Sequence, residues 1–475
     1  MTTPERRRRP MPLLKRRMPS GQGSMIQPNV TGDGETALTP VFWTLVVIVG
    51  VFAGLVGIAL MRLLFLVEHL AFGVGSDGQG FTAAVERASG WERAVPLLIA
   101  GAVGGIGWYL LRRVTPGMKS EADEVLWTGA GRLSFRRSAG TSVLSEVVIG
   151  LGASLGREAA PKLMGAVAGS LVGEWARLSD AQRRLLVACG GGAGLAAVYN
   201  VPLGGALFTA EVLVGSVTLP TVLPALACSA VATMTAWLSL SQDAIYPQIP
   251  DYPFDGRLLV WAVIAGPVIG VLAAIYIRLI GWISHRAARG AWVIVAIPVV
   301  FAGLAALAVV YPQLYGNGRS IAHDAFLGVG AFATVAALAI LKPLVTALCL
   351  GAGASGGLFT PVMCTGAAIG AVGGIAFGHI WPGSPVGAFA MIGAAAMIGA
   401  GMQAPLAGLL LVLELTHSGL ALMAPMIVAT MIATAVTRRI DGYSIYSARI
   451  AGPGPVGPAV PPMTVPDRPV PDGAR

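Results

Sequence analysis

The amino-acid sequence predicts an all-α integral membrane protein built from two related halves. Of its 475 residues, 55% are hydrophobic and only 12% are charged, whereas a soluble domain has about 25% charged residues. Long charge-free stretches follow one another along the chain, and two motifs each occur twice, in the same order. These three observations argue against a soluble enzyme, a nucleic-acid-binding module and a disordered scaffold.

The N-terminal segment concentrates positive charge. Among the first 17 residues, seven are Lys or Arg and one is Glu, which gives +6 (seven minus one) of the net charge of +9. Short cytoplasmic flanks of membrane helices are enriched in Lys and Arg, and such segments also contact anionic lipid. We therefore predict a cytoplasmic tail over residues 1–36 and no nucleic-acid partner.

A membrane helix needs roughly 20 predominantly apolar residues. The sequence offers charge-free runs at 41–61, 94–111, 185–210, 212–242, 258–277, 290–318, 325–341, 343–413 and 415–437. The run that begins at 343 is broken by clusters of Gly and Pro, and broken helices at membrane depth are tolerated only inside protein or around a polar cavity. We predict a transmembrane domain over 37–450 with some short or re-entrant helices, followed by a proline-rich, extended tail over 451–475.

Two motifs recur at an almost constant shift along the chain. The matching segments are GASLGRE at 152–158 with GASGGLF at 353–359, shifted by 201, and NVPLGG at 200–205 with QAPLAG at 403–408, shifted by 203. This order indicates an internal duplication, with halves at about 40–243 and 257–447. In many transporters built from repeats, the substrate lies near mid-membrane, where interrupted helices point their ends at it.

Each GAS motif runs directly into a helical pattern. The exposed backbone N–H groups at such a helix N-terminus favour an anion, and glycine leaves no side chain between those amides and the ion. The alternative is that the glycines only allow close helix packing. The duplication, together with a glutamate at one of the two helix starts, favours a site for a small anion.

Glu158 lies at the helix start of the first half, and its repeat mate is Phe359. An ionised side chain at mid-membrane costs roughly 2.5–3.5 kcal/mol and usually persists for function. A carboxylate beside helix N-termini can occupy an anion site itself and move away when it is protonated or displaced, which makes Glu158 the candidate gate. The alternative is a static partner for Arg157 or Lys162.

Three further acidic residues, Glu146, Glu211 and Glu414, lie among apolar residues. The last two occupy equivalent positions in the two halves, and this symmetry indicates a structural role at helix ends. The four cysteines and five histidines are scattered without metal-ligand spacing. We therefore predict cysteines that serve as packing residues, with no metal site and no cofactor.

The sequence resembles the CLC family of chloride channels and transporters. The matching motifs are GREAAP at 156–161, YNVPLGGALFTAE at 199–211, GGLFTP at 356–361 and SIYS at 444–447. The resemblance implies an all-helical, multi-pass homodimer of a bacterial plasma membrane. Each subunit would have antiparallel (inverted) halves and its own anion pathway, without the large C-terminal domains of eukaryotic members.

The resemblance also assigns roles to individual residues. Glu158 matches the external gating glutamate, and Tyr446 matches the tyrosine whose hydroxyl donates to the central anion. The backbone amides that match those lining the anion sites belong to Gly156, Arg157, Leu358, Phe359 and Thr360.

Three features depart from the family pattern. In GREAAP, one extra residue separates Glu158 from Pro161. Met118 stands where the family has a serine that touches the central anion, with Ser120 as a rival if the alignment slips, and fluoride-exporting relatives are similar in lacking that serine. Val212 stands where proton-coupled members have an internal, proton-accepting glutamate, and valine cannot bind a proton. We therefore favour passive conduction of chloride or a similar small anion. The alternative is a proton/anion antiporter, with fluoride or another halide as its main ion.

Two other classes of function fit the sequence less well. A secondary transporter of another fold would need paired intramembrane charges, and the run 343–413 has none. The GASG segment at 353–356 is similar to the serine motif of rhomboid intramembrane proteases, but a serine nucleophile needs a base within hydrogen-bond reach. The downstream His379 and His417 lie in no matching motif, and the first GAS copy has no histidine in the next hundred residues. We predict no enzymatic activity and no catalytic residues.

Overall fold

The computed structural model describes residues 38–75, 80–117, 125–127 and 131–450, and most of these residues are helical. The α-helices are α1 (Pro40–Phe72), α2 (Phe81–Arg87), α3 (Gly90–Val114), α4 (Phe135–Gly150), α5 (Ala159–Trp175), α6 (Asp180–Tyr199), α7 (Pro202–Phe208), α8 (Leu219–Ala236), α9 (Gly256–His285), α10 (Val293–Leu307), α11 (Arg319–Leu327), α12 (Phe332–Gly351), α13 (Phe359–Ile380), α14 (Val386–Met402), α15 (Pro405–Thr416) and α16 (Met423–Ile440). The predicted all-α fold class is confirmed for this part of the chain. Both predicted tails lie outside the described residues.

Eight helical segments of the described residues are long and apolar enough to cross a membrane. They are α1, α3, α8, α9, α10 with the turn before it (Gly290–Leu307), α12, α13, and α16 with the turn before it (Leu420–Ile440). Three further apolar helices are shorter, namely α7 with its π-helical continuation (Pro202–Val214), α14 and α15. Full-length and short apolar helices therefore occur together, as the broken charge-free runs predict.

The repeated proline motif produces the same helix break in each half. Helix α6 ends at Tyr199, the next residue Asn200 has a φ of 57°, and α7 begins with Pro202. In the second half, α14 ends at Met402, the next residue Gln403 also has a φ of 57°, and α15 begins with Pro405. A left-handed residue lets the last carbonyls of a helix find partners, and a proline at the first helical position gives up no internal hydrogen bond.

Helix packing follows the same plan in the two halves. Helix α1 packs against α8 as α9 packs against α16, and α5 packs against α6 as α13 packs against α14. Between the halves, α3 contacts α10 and α7 contacts α15. These equivalent contacts agree with a duplicated chain whose two copies pack against each other.

Glycines within the helices allow the closest of these contacts. A Cβ on Gly165 of α5 would overlap the carbonyl oxygen of Gly190 on α6. A Cβ on Gly366 of α13 would lie 2.7 Å from the carbonyl oxygen of Gly393 on α14. Gly165 and Gly366 therefore allow close helix packing, and small residues at helix contacts are common in membranes.

Two equivalent glutamates join the halves. The Glu414 carboxylate accepts hydrogen bonds from the first-turn N–H groups of α7, the shorter of them from Gly204 at 2.6 Å. The Glu211 carboxylate accepts hydrogen bonds from the first-turn N–H groups of α15, the shorter of them from Ala407 at 2.7 Å. Each glutamate thus caps a helix of the opposite half, where a negative charge is favoured. This is the structural role at helix ends that their symmetry predicts.

Candidate functional site

The two GAS loops meet inside the protein, although they lie 201 residues apart in the sequence. The Gly156 N–H donates to the carbonyl oxygen of Gly357 over 2.9 Å, and the Gly357 N–H donates to that of Gly156 over 2.7 Å. This pair forms an isolated antiparallel bridge. It brings the N-terminus of α5 close to the N-terminus of α13, and both helix ends are positively polarised.

Hydroxyl groups of the opposite half hold each loop in place. Ser145 Oγ on α4 donates to the carbonyl oxygen of Ser355 over 2.8 Å. Thr346 Oγ1 on α12 donates to the carbonyl oxygen of Ser154 over 3.1 Å. The two donors are repeat mates at the shift of 201, and so are the two acceptors. The loops are therefore braced symmetrically.

A buried lysine supports the first loop alone. Lys342 on α12 has no exposed surface, and its Nζ donates to Ser154 Oγ and to the carbonyl oxygen of Gly316, each over 2.7 Å. Its repeat mate is Thr141, whose hydroxyl donates to a carbonyl of its own helix α4. A buried ammonium group is tolerated when it is hydrogen-bonded. Lys342 therefore places a positive charge next to the loop that leads into Glu158.

The Glu158 side chain crosses from the first half to the second. The residue is 3% exposed, and Oε1 accepts a hydrogen bond of 2.7 Å from the N–H of Phe359, the first residue of α13. Oε2 accepts hydrogen bonds from Tyr199 Oη at 3.2 Å and Thr360 Oγ1 at 3.3 Å. Glu158 does not cap its own helix α5. Its carboxylate instead occupies the position to which the first amide of α13 points.

The glycines of the bridge leave the space that this carboxylate fills. A Cβ added to Gly156 or to Gly357 would overlap the carboxylate of Glu158. Any other residue at either position would therefore push the carboxylate away from α13. The same absence of a side chain would let a small anion approach the amide closely.

A cavity lies beside Glu158. Its walls come from α4, the start of α5, the second GAS loop and the segment after α16, and they are Thr141, Ser142, Ser145, Glu158, Ala159, Ala160, Lys162, Leu163, Ser355, Gly356, Gly357, Leu358, Tyr446 and Arg449. The lining combines hydroxyl groups, the backbone of a helix start, two cationic side chains and one carboxylate. The two cationic side chains and the positively polarised helix start suit a small anion.

Tyr446 lies in the wall of this cavity and is 5% exposed. Its ring centroid lies 4.5 Å from the Nζ of Lys162. The ring also contacts that of Phe208 edge to face, with the two centroids 6.0 Å apart. Its hydroxyl lies 3.7 Å from the Sδ of Met402. The structure thus brings Tyr446, Glu158 and the second GAS loop together around one cavity.

The remaining predicted positions lie in different surroundings. Leu358 lines the cavity, whereas Arg157 is 8% exposed and stacks its guanidinium over the ring of Tyr199 at 5.3 Å. Val212 is buried in the π-helical segment Thr209–Val214 and is not among the residues that line the cavity. Met118 lies outside the described residues. The roles assigned to these positions stay predictions.

Sequence reasoning gave no role to Tyr199, which completes the setting of Glu158. Besides its hydrogen bond to Glu158, the Tyr199 hydroxyl lies 2.8 Å from Thr360 Oγ1, and its ring contacts that of Phe359 at 5.7 Å. The signal was present, because Tyr199 begins the YNVPLGG motif that contributes to the resemblance. Its position against α13 depends on the folded chain.

No group of three or more His, Cys, Asp or Glu residues that could hold a metal ion occurs in the part of the chain that the structure describes. All four cysteines are buried and free.

Comparison with known proteins gives a consistent result. The voltage-gated chloride channel family matches residues 100–438. A putative ClcB-like chloride channel protein of Ralstonia nicotianae is 30% identical over 417 residues, which cover 84% of this chain and 96% of that protein. The voltage-gated ClC-type chloride channel ClcB of Citrobacter koseri is 27% identical over 416 residues, which cover 85% of this chain and 97% of that protein.

Solved structures share the fold. A slow cyanobacterial Cl⁻/H⁺ antiporter has a TM-score of 0.73 and 21% identity, with 86% of this chain and 97% of that chain covered. A CLC-type fluoride/proton antiporter has a TM-score of 0.68 and 20% identity, with the same coverage of 86% and 97%. At these identities the likeness establishes a common fold, and it does not establish a common ion.

Proposed function

The chain belongs to the voltage-gated chloride channel family and is a multi-pass membrane protein, and from that premise we propose that it carries chloride or a similar small anion across a bacterial plasma membrane. Each subunit of a homodimer would contain one pathway, gated by Glu158. The N-terminal tail would lie in the cytoplasm.

One observation carries the gating proposal, the hydrogen bond of 2.7 Å from the Phe359 N–H to Glu158 Oε1. A carboxylate and a halide compete for the same amide, so the pathway is closed while the carboxylate stays in place. Protonation of Glu158, or its displacement by an anion, frees the amide. A single helix end contributes typically 0.3–1 kcal/mol, and such weak binding suits an ion that must also leave.

The proposed anion contacts are mostly backbone groups. They are the amides of Gly156, Arg157, Leu358, Phe359 and Thr360. Tyr446, which lines the same cavity, would add a hydroxyl donor. No step of this process needs a cofactor or a catalytic residue.

Passive conduction is favoured over proton exchange because Val212 is apolar and buried where the family resemblance calls for an internal proton acceptor. Proton/anion antiport is the second candidate. It is favoured by Glu158 itself, a buried carboxylate that can take up a proton when it leaves α13, and the two solved neighbours are described as proton-coupled antiporters. Fluoride is the alternative ion, because Met118 stands where a serine is expected.

The purified protein reconstituted in chloride-loaded liposomes tests these alternatives, with chloride efflux and external pH recorded together, with and without a potassium ionophore. Chloride efflux without proton movement is the expected result, and empty liposomes are the control. Efflux coupled to uphill proton uptake would show that the protein is an antiporter and would exclude passive conduction. Absence of chloride flux alongside fluoride flux would overturn chloride as the main ion, and absence of both would overturn the proposed function.

A further inference from the structure

Tyr199 is the last residue of α6 and lies against the start of α13 in the opposite half. Only 2% of its surface is exposed. Its ring contacts the guanidinium of Arg157 at 5.3 Å and the ring of Phe359 at 5.7 Å, and a phenylalanine would keep both contacts. The hydroxyl group is therefore the part of Tyr199 that needs an explanation, because a buried hydroxyl is costly without a hydrogen-bond partner.

The hydroxyl has two partners, and both belong to the contact between Glu158 and α13. Tyr199 Oη donates to Glu158 Oε2 over 3.2 Å and lies 2.8 Å from Thr360 Oγ1, which lies 3.3 Å from the same carboxylate oxygen. Each hydroxyl has one proton to donate. When the carboxylate leaves, the two hydroxyls still bind each other, so the open position of the gate stays accessible.

The internal repeat shows that this cluster of two hydroxyls and one carboxylate occurs once. Each of its three residues has a repeat mate whose side chain has neither a hydroxyl nor a carboxylate. The pairs are Glu158 with Phe359 and Thr360 with Ala159, at the shift of 201, and Tyr199 with Met402, at the shift of 203. Helix α14 thus ends with a methionine where α6 ends with a tyrosine. A structural reason common to both halves does not account for the Tyr199 hydroxyl.

The second carboxylate oxygen distinguishes the gate from the halide with which it competes. Glu158 Oε1 accepts from the Phe359 N–H, while Oε2 reaches the hydroxyls. A halide is a single centre, so a halide bound at the Phe359 amide does not occupy the Oε2 position as well. The Tyr199 hydroxyl therefore stabilises the carboxylate more than a halide, and only such a differential interaction shifts an equilibrium between two states.

Other charged and titratable groups also face Glu158 from the segments around it. They are Glu146 on α4, Arg157 and Lys162 on its own loop and helix, Tyr276 on α9, Lys342 on α12, Cys364 on α13 and Tyr446 after α16. All of them stay when only the Tyr199 hydroxyl is removed. A change in the gate on its removal therefore reports that hydroxyl.

We propose that Tyr199 is a positioning residue of the gate, whose hydroxyl holds Oε2 of Glu158 at α13 and favours the closed position over a bound halide. This inference rests on the proposed function, and it names a residue that sets how readily the gate opens. Tyr199 acts through Glu158.

The test is chloride efflux from liposomes that contain the full-length protein, with the initial rate measured over a range of pH for the parent and for Y199F. Loss of a hydrogen bond to a charged group disfavours the closed position about tenfold. The pH of half-maximal efflux should therefore rise by about one unit, because a carboxylate that is held less firmly takes up its proton at a lower proton concentration. At acidic pH, where Glu158 is protonated in both proteins, the two rates should agree.

Two further variants separate this role from a structural one. In an E158A background, Y199F should change neither the rate nor its pH dependence, because the oxygen that the hydroxyl holds is absent. Y252F is the matched control, since Tyr252 is also buried and its hydroxyl donates over 2.7 Å to the carbonyl oxygen of Phe326 rather than to the carboxylate. It should leave the pH of half-maximal efflux unchanged.

A Y199F protein that conducts chloride with the pH profile of the parent would overturn the inference alone. So would an equal effect of Y199F in the E158A background, since Tyr199 would then act without Glu158. Thermal unfolding in detergent controls for folding, and T360V, which removes the other hydroxyl, replaces Y199F should the latter be unstable. A parent protein without anion flux, or with efflux that ignores pH, would overturn the proposed function or its gate, and the inference with it.

Discussion

The two halves share one backbone plan and differ in the side chains placed on it. The helix starts of the first half carry Arg157, Glu158 and Lys162, and the equivalent positions of the second half carry Leu358, Phe359 and Met363. The bridge between the loops, the hydroxyl braces and the glutamate caps are symmetric. The duplicated scaffold thus supplies two positively polarised helix ends, whereas the carboxylate that reaches across to the helix end of the opposite half belongs to the first half only.

Removal of the asymmetric carboxylate has the largest expected effect. Glu158→Ala leaves the Phe359 amide without its carboxylate partner, so chloride efflux from liposomes should equal or exceed that of the parent. The efflux should also lose its dependence on external pH, because the carboxylate whose protonation would free the Phe359 amide is gone. Any proton coupling should disappear with it. A well-folded Glu158→Ala protein with no anion flux would contradict the gate.

Lys342 and its repeat mate Thr141 provide the next comparison. Lys342→Met removes two hydrogen bonds from a buried charged donor, each worth about 1.5–3 kcal/mol, and leaves Ser154 and Gly316 short of a partner. Thr141→Val removes one neutral hydrogen bond within a helix, worth about 0.5–1.5 kcal/mol. The midpoint of thermal unfolding in detergent should therefore fall clearly further for Lys342→Met. Equal losses would show that the first loop does not depend on this lysine.

Glu211 and Glu414 provide the symmetric control. Each caps a helix of the opposite half with two hydrogen bonds from backbone N–H groups, and loss of a helix cap costs about 0.5–2 kcal/mol. Glu211→Ala and Glu414→Ala should therefore lower the thermal midpoint by similar, small amounts. If one variant lowered the thermal midpoint strongly and the other left it unchanged, the two caps would contribute unequally to stability despite their symmetric contacts.

Much of the architecture could be predicted from the sequence because local motifs carry it. The charge-free runs predict the apolar helices, and Asn200 with Pro202, repeated as Gln403 with Pro405, predicts the break between them. The duplication predicts that equivalent segments have equivalent structures. It also predicts that Glu211 and Glu414, which occupy equivalent positions, have equivalent roles at helix ends.

The rest depends on how distant segments approach one another. Lys342 reaches Ser154 across 188 residues of sequence, and Tyr199 meets Thr360 across 161. Nothing near Lys342 in the sequence shows that its helix packs behind the first GAS loop. The contact of Glu158 with α13 depends on the pairing of Gly156 with Gly357. The repeat shows that these two glycines are equivalent in sequence, but it does not show that they pair. The anion-binding roles, including that of Tyr446, stay predictions.

The most direct test of competition between Glu158 and an anion for the Phe359 amide is the position of a bound anion. Crystals of the parent and of Glu158→Ala grown in bromide would locate the ion by its anomalous scattering. We expect bromide at the Phe359 N–H in Glu158→Ala and the Glu158 carboxylate at that place in the parent. Two results would contradict this expectation. One is bromide bound to the Phe359 amide of the parent while Glu158 keeps its position. The other is a Phe359 amide without bromide in Glu158→Ala while bromide occupies other sites.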